Sequence, residues 1–254
     1  MVTLEPVLDA PVAVAEFADE RLLLLADYHA GFESAARFEE GIELPSRAGQ
    51  RRERLLELVD TTRADKVVVI GDLTHTIGTP GGAERGEVEV LVESLDVPLR
   101  VAKGNHDGVL EELLATDPSL FGDVSVLPPT GAVIDSLAVV HGHTWPDPSV
   151  LEASIVCIGH EHPCVRLADD VGGRRIERVW LRGDIDEEPF ERYYGTDIFT
   201  KAEIVVFPAY NELMGGTWVN LPEQEFLAPF LPEALPNGDA YLLDGTNLGP
   251  YHRI

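Results

Sequence analysis

Lysine is nearly absent: Lys66, Lys103 and Lys201 are the three in a chain of 254 residues. Cysteine and methionine occur twice each. Two cysteines are too few for a disulfide framework, so Cys157 and Cys164 are expected to be reduced, buried thiols. Long hydrophobic runs are missing too. "RLLLLAD", "KVVVIGD" and "AEIVVFPAY" each break off within a few residues, far short of the ~18 apolar residues of a membrane span. The opening "MVTLEPVLDAPVAVAEFADE" lacks the basic and apolar regions of an export signal. These absences predict a cytoplasmic protein with no membrane partner.

The scarcity of cations is matched by an excess of acid, 45 Asp and Glu against 19 Lys and Arg, for a formal net charge of −26. In ordinary salt that charge would repel nucleic acid and strain the compact state. Yet hydrophobic residues make up 44% of the chain, the pattern of a packed domain rather than of a disordered acidic tail. A halophilic setting reconciles the two. At molar salt the Debye length is about 3 Å, so surface carboxylates neither repel one another nor exclude a DNA partner. The length favours one domain over residues 1–254, with 221–254 as a C-terminal hairpin or extension whose "YLLDGTNLG" carries an Asp-Gly turn.

Apolar β-branched runs alternate with helical patterns through the first half, which predicts βαβ units and a mostly parallel sheet. Strands are expected near residues 21–26, 66–70 and 98–102, and helices over 47–61 and 84–95. From about residue 124 to 220 the short runs "VSVL", "AVIDSLAVVH", "SIVCIG", "CVRLA", "RRIERVWL" and "AEIVVF" are separated by turn residues, which predicts a second sheet packed on the first.

Five motifs fall at the ends of these strands: "LLADYH" with Asp27 and His29, "VIGDLTH" with Asp72 and His75, "AKGNHDG" with Asn105, His106 and Asp107, "VVHGH" with His141 and His143, and "IGHEHP" with His160 and His162. Open α/β sheets bind ligands there. Singly each motif is weak, since an Asp after a strand is usually a turn residue and a buried histidine usually a core residue. Jointly they supply an oxygen and nitrogen donor set too large for one tetrahedral ion. The set suits two divalent ions ~3.5–4 Å apart that clamp a phosphoryl group. "CIGHEHPC" on its own could be a zinc knuckle, a disulfide-closed hairpin or one corner of that larger site. The five-motif pattern favours the corner, with Glu161 pointing away towards solvent or bracing the ligands from behind.

This combination resembles the calcineurin-like metallophosphoesterase superfamily over about residues 20–165. The resemblance implies a four-layer αββα sandwich of two mixed sheets with helices on the outer faces. It also implies that Asp27, His29 and His162 hold one metal, that Asp72 bridges, and that Asn105, His141 and His160 hold the second. His106 would be the general acid or stabilise the transition state, oriented by Asp107. "ADYHAGFE", "GDLTHTIG", "GNHDG", "GHEHP" and "FPAYNELMGGTWVN" resemble the compact archaeal and bacterial branch related to double-strand-break repair nucleases and to phosphoesterases associated with a DNA ligase and a helicase. Tyr28 and Thr74 depart from that branch's usual residues.

The implied chemistry is in-line attack on phosphorus by a hydroxide bridging two ions. Manganese is favoured, and zinc, iron, nickel or cobalt are compatible with the ligands. DNA ends or single strands are the favoured substrate, a helicase or ligase the implied class of partner, and homodimerisation is left open. Two alternatives remain: a phosphoesterase of a small nucleotide or metabolite, and a non-catalytic binding module, which the intact His106 argues against. Three residues have two readings each. His75 either faces substrate or braces its loop; His143 and Trp145 either contact substrate, Trp145 by stacking a base, or are packed. The group Arg47, Arg51, Arg52 and Arg54 either tracks a phosphate backbone or forms solvated ion pairs with nearby glutamates.

Overall fold

The computed structural model describes residues 2–168 and 172–254. The first sheet contains β1 (Thr3–Pro6), β2 (Val12–Glu16), β3 (Arg21–Leu25), β4 (Lys66–Val69), β5 (Leu99–Ala102) and β6 (Val124–Leu127), in that spatial order. β1 to β3 are antiparallel and β3 to β6 parallel. The helices α1 (Phe32–Glu39), α2 (Ala48–Thr62), α3 (Gly82–Ser94) and α4 (Leu110–Leu114) are the crossovers of the parallel half. The second sheet has the order β14, β13, β11, β12, β9, β8, β7. In chain order these strands are β7 (Ala132–Ile134), β8 (Leu137–Val140), β9 (Ile155–Ile158), β11 (Arg174–Asp184), β12 (Glu203–Val206), β13 (Asp239–Leu242) and β14 (Asn247–Pro250). β10 (Cys164–Ala168) pairs with the first half of β11 as an arm, and α5 (Glu188–Tyr194) follows β11.

The strands expected near 21–26, 66–70 and 98–102 and the helices expected over 47–61 and 84–95 are present within a few residues. "VSVL" is not part of the second sheet: it is β6, the parallel edge of the first. The N-terminal hairpin of β1 and β2 was not anticipated from sequence, because Pro6 and the acidic Glu5, Asp9 and Glu16 break its apolar pattern.

Period-two alternation explains the layering. Leu23, Leu25, Val67 and Val69 face the helices, while Leu22, Leu24, Val68 and Ile70 face the second sheet. There they meet Leu137, Val139, Cys157, Val205 and Phe207. The outer side of the second sheet packs Val156, Ile158, Leu181 and Val206 against Phe190 of α5 and against Phe230, Leu231 and Leu235. Helix is therefore sparse in that fourth layer, where loop 226–235 does much of the covering. No helix among the described residues is long and apolar enough to cross a membrane.

Arg51 fits neither sequence expectation. Its guanidinium lies 2.6 Å from Glu87 and 3.1 Å from Glu33, and all three side chains are almost fully buried. It also stands over the Tyr28 ring, 5.5 Å from the centroid. The triad ties α1, α2 and α3 together with one cation between two anions. Removing it leaves two buried carboxylates without a counter-charge. Arg51→Met is expected to lower the unfolding free energy by about 3–5 kcal/mol. The exposed neighbour Glu53→Gln should change it by less than about 0.5 kcal/mol in the same denaturant titration.

Candidate metal centre

Parallel pairing brings the five motifs level. Leu25, Val69 and Val101 are in register across β3, β4 and β5, and Val140 is in register with Ile158 across β8 and β9. The loops leaving these five strands converge at one end of the two sheets. Past the strands the Asp27 and Asp72 loops run side by side: the amide of Asp27 donates to Gly71, that of His29 to Asp72, and that of Ala30 to Leu73.

Local backbone geometry then aims the side chains. Asp27, His29, Asp72, His160 and His162 all have φ between 45° and 69°, a left-handed conformation that non-glycine residues adopt at a cost and that clusters at functional sites. Two glycines clear the space. A Cβ on Gly71 would lie 2.1 Å from His141 Nδ1, and one on Gly104 2.1 Å from Asp72 Oδ1.

Three donor groups result, each within 4.8 Å: Asp27, His29 and His162; Asp72, His141 and His160; and the all-imidazole group His29, His75 and His106. Asp72 Oδ2 lies 3.2 Å from His141 Nε2, 3.8 Å from His29 Nε2 and 3.9 Å from His106 Nε2. Its other oxygen accepts the His106 amide at 2.9 Å. Asp27 Oδ1 lies 3.2 Å from His162 Nε2, and both of its oxygens accept from the His160 amide. Asn105 Oδ1 is 3.1 Å from His141 Nε2.

The imidazoles are held from behind. His141 Nδ1 donates to the Ile70 carbonyl and His162 Nδ1 to that of Gly215, both at 2.9 Å. This leaves each Nε2 to face the cluster, the usual way a ligating histidine is oriented. The donor set fits divalent ions: carboxylate, amide and imidazole atoms converge, and His29 Nε2 and His162 Nε2 face each other at 3.4 Å.

Charge follows this geometry. Burial opposes ionisation of Asp72, but the His141 and His29 rings outweigh it and hold the carboxyl well below the usual range. Asp27 is likewise lowered: burial opposes, and His162 and His141 prevail. Burial would pull His141 down, yet Asp72 and Asp27 push it up to about 9. His29 and His160 go the other way. Burial takes His29 down to about 3 against the pull of Asp72, and burial with the His141 charge takes His160 down to about 4.

The remaining candidates divide. His106 Nδ1 is bonded to the His75 carbonyl, so its Nε2 faces Asp72. Asp107 does not orient that ring: its carboxylate accepts from the Thr74 amide at 3.0 Å and the Gly104 amide at 2.9 Å, joining the two loops from beneath. His75 braces as well. Its Nδ1 lies 3.2 Å from His29 Nδ1, and its ring stacks on His106 at 5.2 Å. His143 is near His141 and His160, with ring centroids 5.3 and 6.1 Å away, and its Nδ1 is buried without a partner among the described residues. Trp145 is packed. Tyr193 stacks on its face at 4.1 Å, and Phe190 and Phe230 close the other sides.

Cys157 and Cys164 are free and buried. They lie on β9 and β10, which pair with different neighbours, so "CIGHEHPC" closes no hairpin. Glu161 is fully buried rather than solvent-facing. It accepts the Ala228 amide at 2.6 Å and the Thr217 hydroxyl at 3.0 Å, which pins the His160–His162 loop to two later segments. Two supporting residues escaped the sequence reading. Glu84 accepts the amides of His75 at 2.6 Å and Thr76 at 2.9 Å. Asn211 donates to the His29 carbonyl at 3.4 Å, and its amide to Asp27. Asn211 lies inside "FPAYNELMGGTWVN", a stretch noticed only as a resemblance; nothing in the sequence marks Glu84.

Carboxylates and imidazoles at the C-terminal ends of parallel strands in two face-to-face sheets define a metal-dependent hydrolase site. Residues 20–197 match the family described as calcineurin-like phosphoesterase, and the chain belongs to that family. It is a metal-dependent phosphoesterase by family and site. The fold is shared with the crystal structure of the Pseudomonas putida nuclease MPE at 19% identity, over 95% of this chain and 98% of that one, with a TM-score of 0.54. The Escherichia coli phosphoesterase Yfce aligns at 16% identity over 90% and 96% of the two chains, with a TM-score of 0.40. A comparison with curated proteins returns no match.

Two expectations follow. With His141 raised to about 9, an ion taking its Nε2 at pH 7.5 must displace a proton. Calorimetry in buffers of different ionisation enthalpy should then show about one proton released or more, with affinity rising as pH approaches 9; proton-free, pH-independent binding would contradict the assignment. Glu161→Ala leaves the Ala228 amide buried and unpaired, and should cost about 1–3 kcal/mol in a denaturant titration.

Proposed function

We propose that the chain, acting as one domain over residues 1–254, hydrolyses phosphodiester bonds of DNA, at ends or in single strands, with two divalent ions. The observation that carries this reading is the position of Asp72 Oδ2. It faces both the His29 and His141 rings, and so links the group Asp27, His29 and His162 to its own group with His141 and His160. Asp27, His29 and His162 would hold one, Asn105, His141 and His160 the other, and Asp72 both.

When bound, the ions supply Lewis-acid charge that activates water and neutralises the phosphoryl oxygens. The chain's own residues do the rest. His106 donates a hydrogen bond from Nδ1 to the His75 carbonyl, so the second proton of the doubly protonated ring, on Nε2, is the one it can hand to the departing oxygen. His75 keeps that ring flat against its own, and Asp107 keeps the loops carrying Thr74 and Gly104 together. His143, at the rim beside His141 and His160, is the remaining imidazole available to a substrate oxygen.

Imidazole and carboxylate donors without thiolate are compatible with manganese as the working ion. The acidic surface suits a halophilic cytoplasm, and a repair setting with a helicase or ligase partner is the context in which a DNA phosphodiesterase of this size would act. A protein of the same fold described as a nuclease supports the choice of a nucleic-acid substrate.

The test is direct. Protein purified in multimolar KCl and supplied with Mn²⁺ should turn over a phosphodiester chromogen and cleave linear or circular single-stranded DNA. Asp72→Asn should lower kcat/KM by about a hundredfold or more, and His106→Ala should lower kcat by about 10²–10⁴. Turnover of a phosphomonoester alone would overturn the DNA reading, and an unimpaired Asp72→Asn the metal assignment.

A further inference from the structure

Three aromatic rings are strongly exposed among the described residues: Phe38 at 82%, Phe199 at 88% and Tyr193 at 54%. Of these, Tyr193 alone lies parallel on another ring. It stacks on Trp145 at 4.1 Å with 7° between the planes, and Tyr194 stands nearly perpendicular to it at 5.0 Å. Trp145 in turn meets Phe190 and Phe230, with centroids 5.8 and 5.9 Å away, in the core cluster on the outer side of the second sheet. A ring that has one face covered and still shows more than half its surface presents its other face to solvent. Tyr193 is therefore the top of an aromatic column rooted in the core, and Trp145 is its floor.

The column is fixed beside the metal centre at two points. Trp145 follows His141 by four residues, a separation of at most about 14 Å between Cα atoms. His143 lies between them in the chain, with its ring 5.3 Å from that of His141. On the other side Phe230 follows Ala228 by two residues, and the Ala228 amide donates to Glu161, between His160 and His162. The open ring thus stands next to the loops that carry His141, His160 and His162, outside the donor groups themselves.

Its surroundings decide what the ring takes. The adjacent Arg192 is committed to Glu188 and Glu233, so the apolar face is one ring wide, far short of the about 800 Å² a side of a stable protein interface. A nucleobase matches it. Bases stack on aromatic side chains tolerantly of sequence, through their ring faces. Stacking also needs no charge, which suits a chain of net charge −26 whose attraction for phosphates is opposed in dilute salt and screened in concentrated salt.

We propose that Tyr193, seated on Trp145, is the base-stacking platform for the substrate strand. It holds an unpaired nucleobase a short way from the phosphate being hydrolysed, so that single-stranded nucleic acid is selected over diesters that carry no base. The inference rests on the two-metal phosphodiesterase reading and adds what is recognised beside the phosphate.

Tyr193→Leu and Tyr193→Phe test it, because leucine still covers Trp145 without an aromatic face and phenylalanine keeps one. Circular dichroism confirms that each is folded. Two quantities are read. One is the ratio of kcat/KM for a single-stranded oligonucleotide to that for methyl p-nitrophenyl phosphate, with Mn²⁺. The other is the affinity of metal-free protein, by anisotropy, for a fluorescein-labelled oligonucleotide and for an equally long strand of abasic tetrahydrofuran units, which has the phosphates and no bases. Tyr193→Leu should lose about tenfold in the ratio, through KM, and about as much in affinity for the base-bearing strand, the scale of one base–aromatic stack. The abasic strand should not distinguish the proteins, and Tyr193→Phe should bind the base-bearing strand as the unaltered protein does.

An unchanged ratio and affinity in Tyr193→Leu would overturn the platform. So would an equal loss on base-bearing and abasic strands, which would show a structural brace. If the unaltered protein turns over the chromogen but not the oligonucleotide, the nuclease reading fails, and the binding titration still decides the platform. Base-dependent binding that Tyr193→Leu loses upholds it, and absence of base-dependent binding overturns it.

Discussion

The Asp72 carboxylate is the junction on which the site depends. One oxygen is committed to the His106 amide, and the other faces imidazoles delivered by three separate loops. Those loops come from both sheets, so the carboxylate can sit there only if the sheets are packed at the right offset. The interface that sets the offset is apolar, built from Leu22, Leu24, Val68 and Ile70 against Val139, Cys157, Val205 and Phe207. A metal site assembled from two sheets needs a rigid seam, and a close-packed apolar seam is the form of contact least able to slide.

The second constraint is backbone strain. Five of the seven candidate ligands adopt left-handed backbone, each costing of order 1–3 kcal/mol unless the surroundings over-determine it. The surroundings do. The Asp27 and Asp72 loops exchange amides with each other, Glu161 fastens the His160–His162 loop to Thr217 and Ala228, and Glu84 and Asp107 close the loops carrying His75 and Thr74. The three side-chain braces, Glu161, Glu84 and Asp107, are buried carboxylates accepting hydrogen bonds, placed one layer out from the donors.

This division explains what could be read in the sequence. Strand ends, their motifs and the donor set are local features, and Asp27, His29, Asp72, Asn105, His141, His160 and His162 do converge. Supporting roles are set by what arrives from elsewhere in the chain. Arg51 looked like a helix-surface arginine because its partners, Glu33 and Glu87, belong to other helices. Glu161 was open to two readings, solvent-facing or bracing, because the segments that bury it come more than fifty residues later. The pairing of Asp107 with His106 was implied by the family resemblance, whereas the two side chains diverge here and a backbone carbonyl holds the ring. Trp145 was open to two readings until Tyr193, on α5, covered its face.

The same reasoning bears on how so acidic a chain handles an anionic substrate. With 45 acidic residues against 19 basic ones, long-range attraction of a polyanion is not available to it at any salt concentration. Recognition has to come from contacts made at bonding distance, by groups already in place. The centre would provide one such contact through the ions that Asp27 and Asp72 are placed to hold. Any other ionic contact must use a cation that is not already in an ion pair, such as Arg178, whose Nη1 donates to the Ala209 carbonyl. Exposed arginines serve less well, because they are screened and mobile. In such a chain, an arginine's meaning depends less on its charge than on which acceptors have been withheld from it.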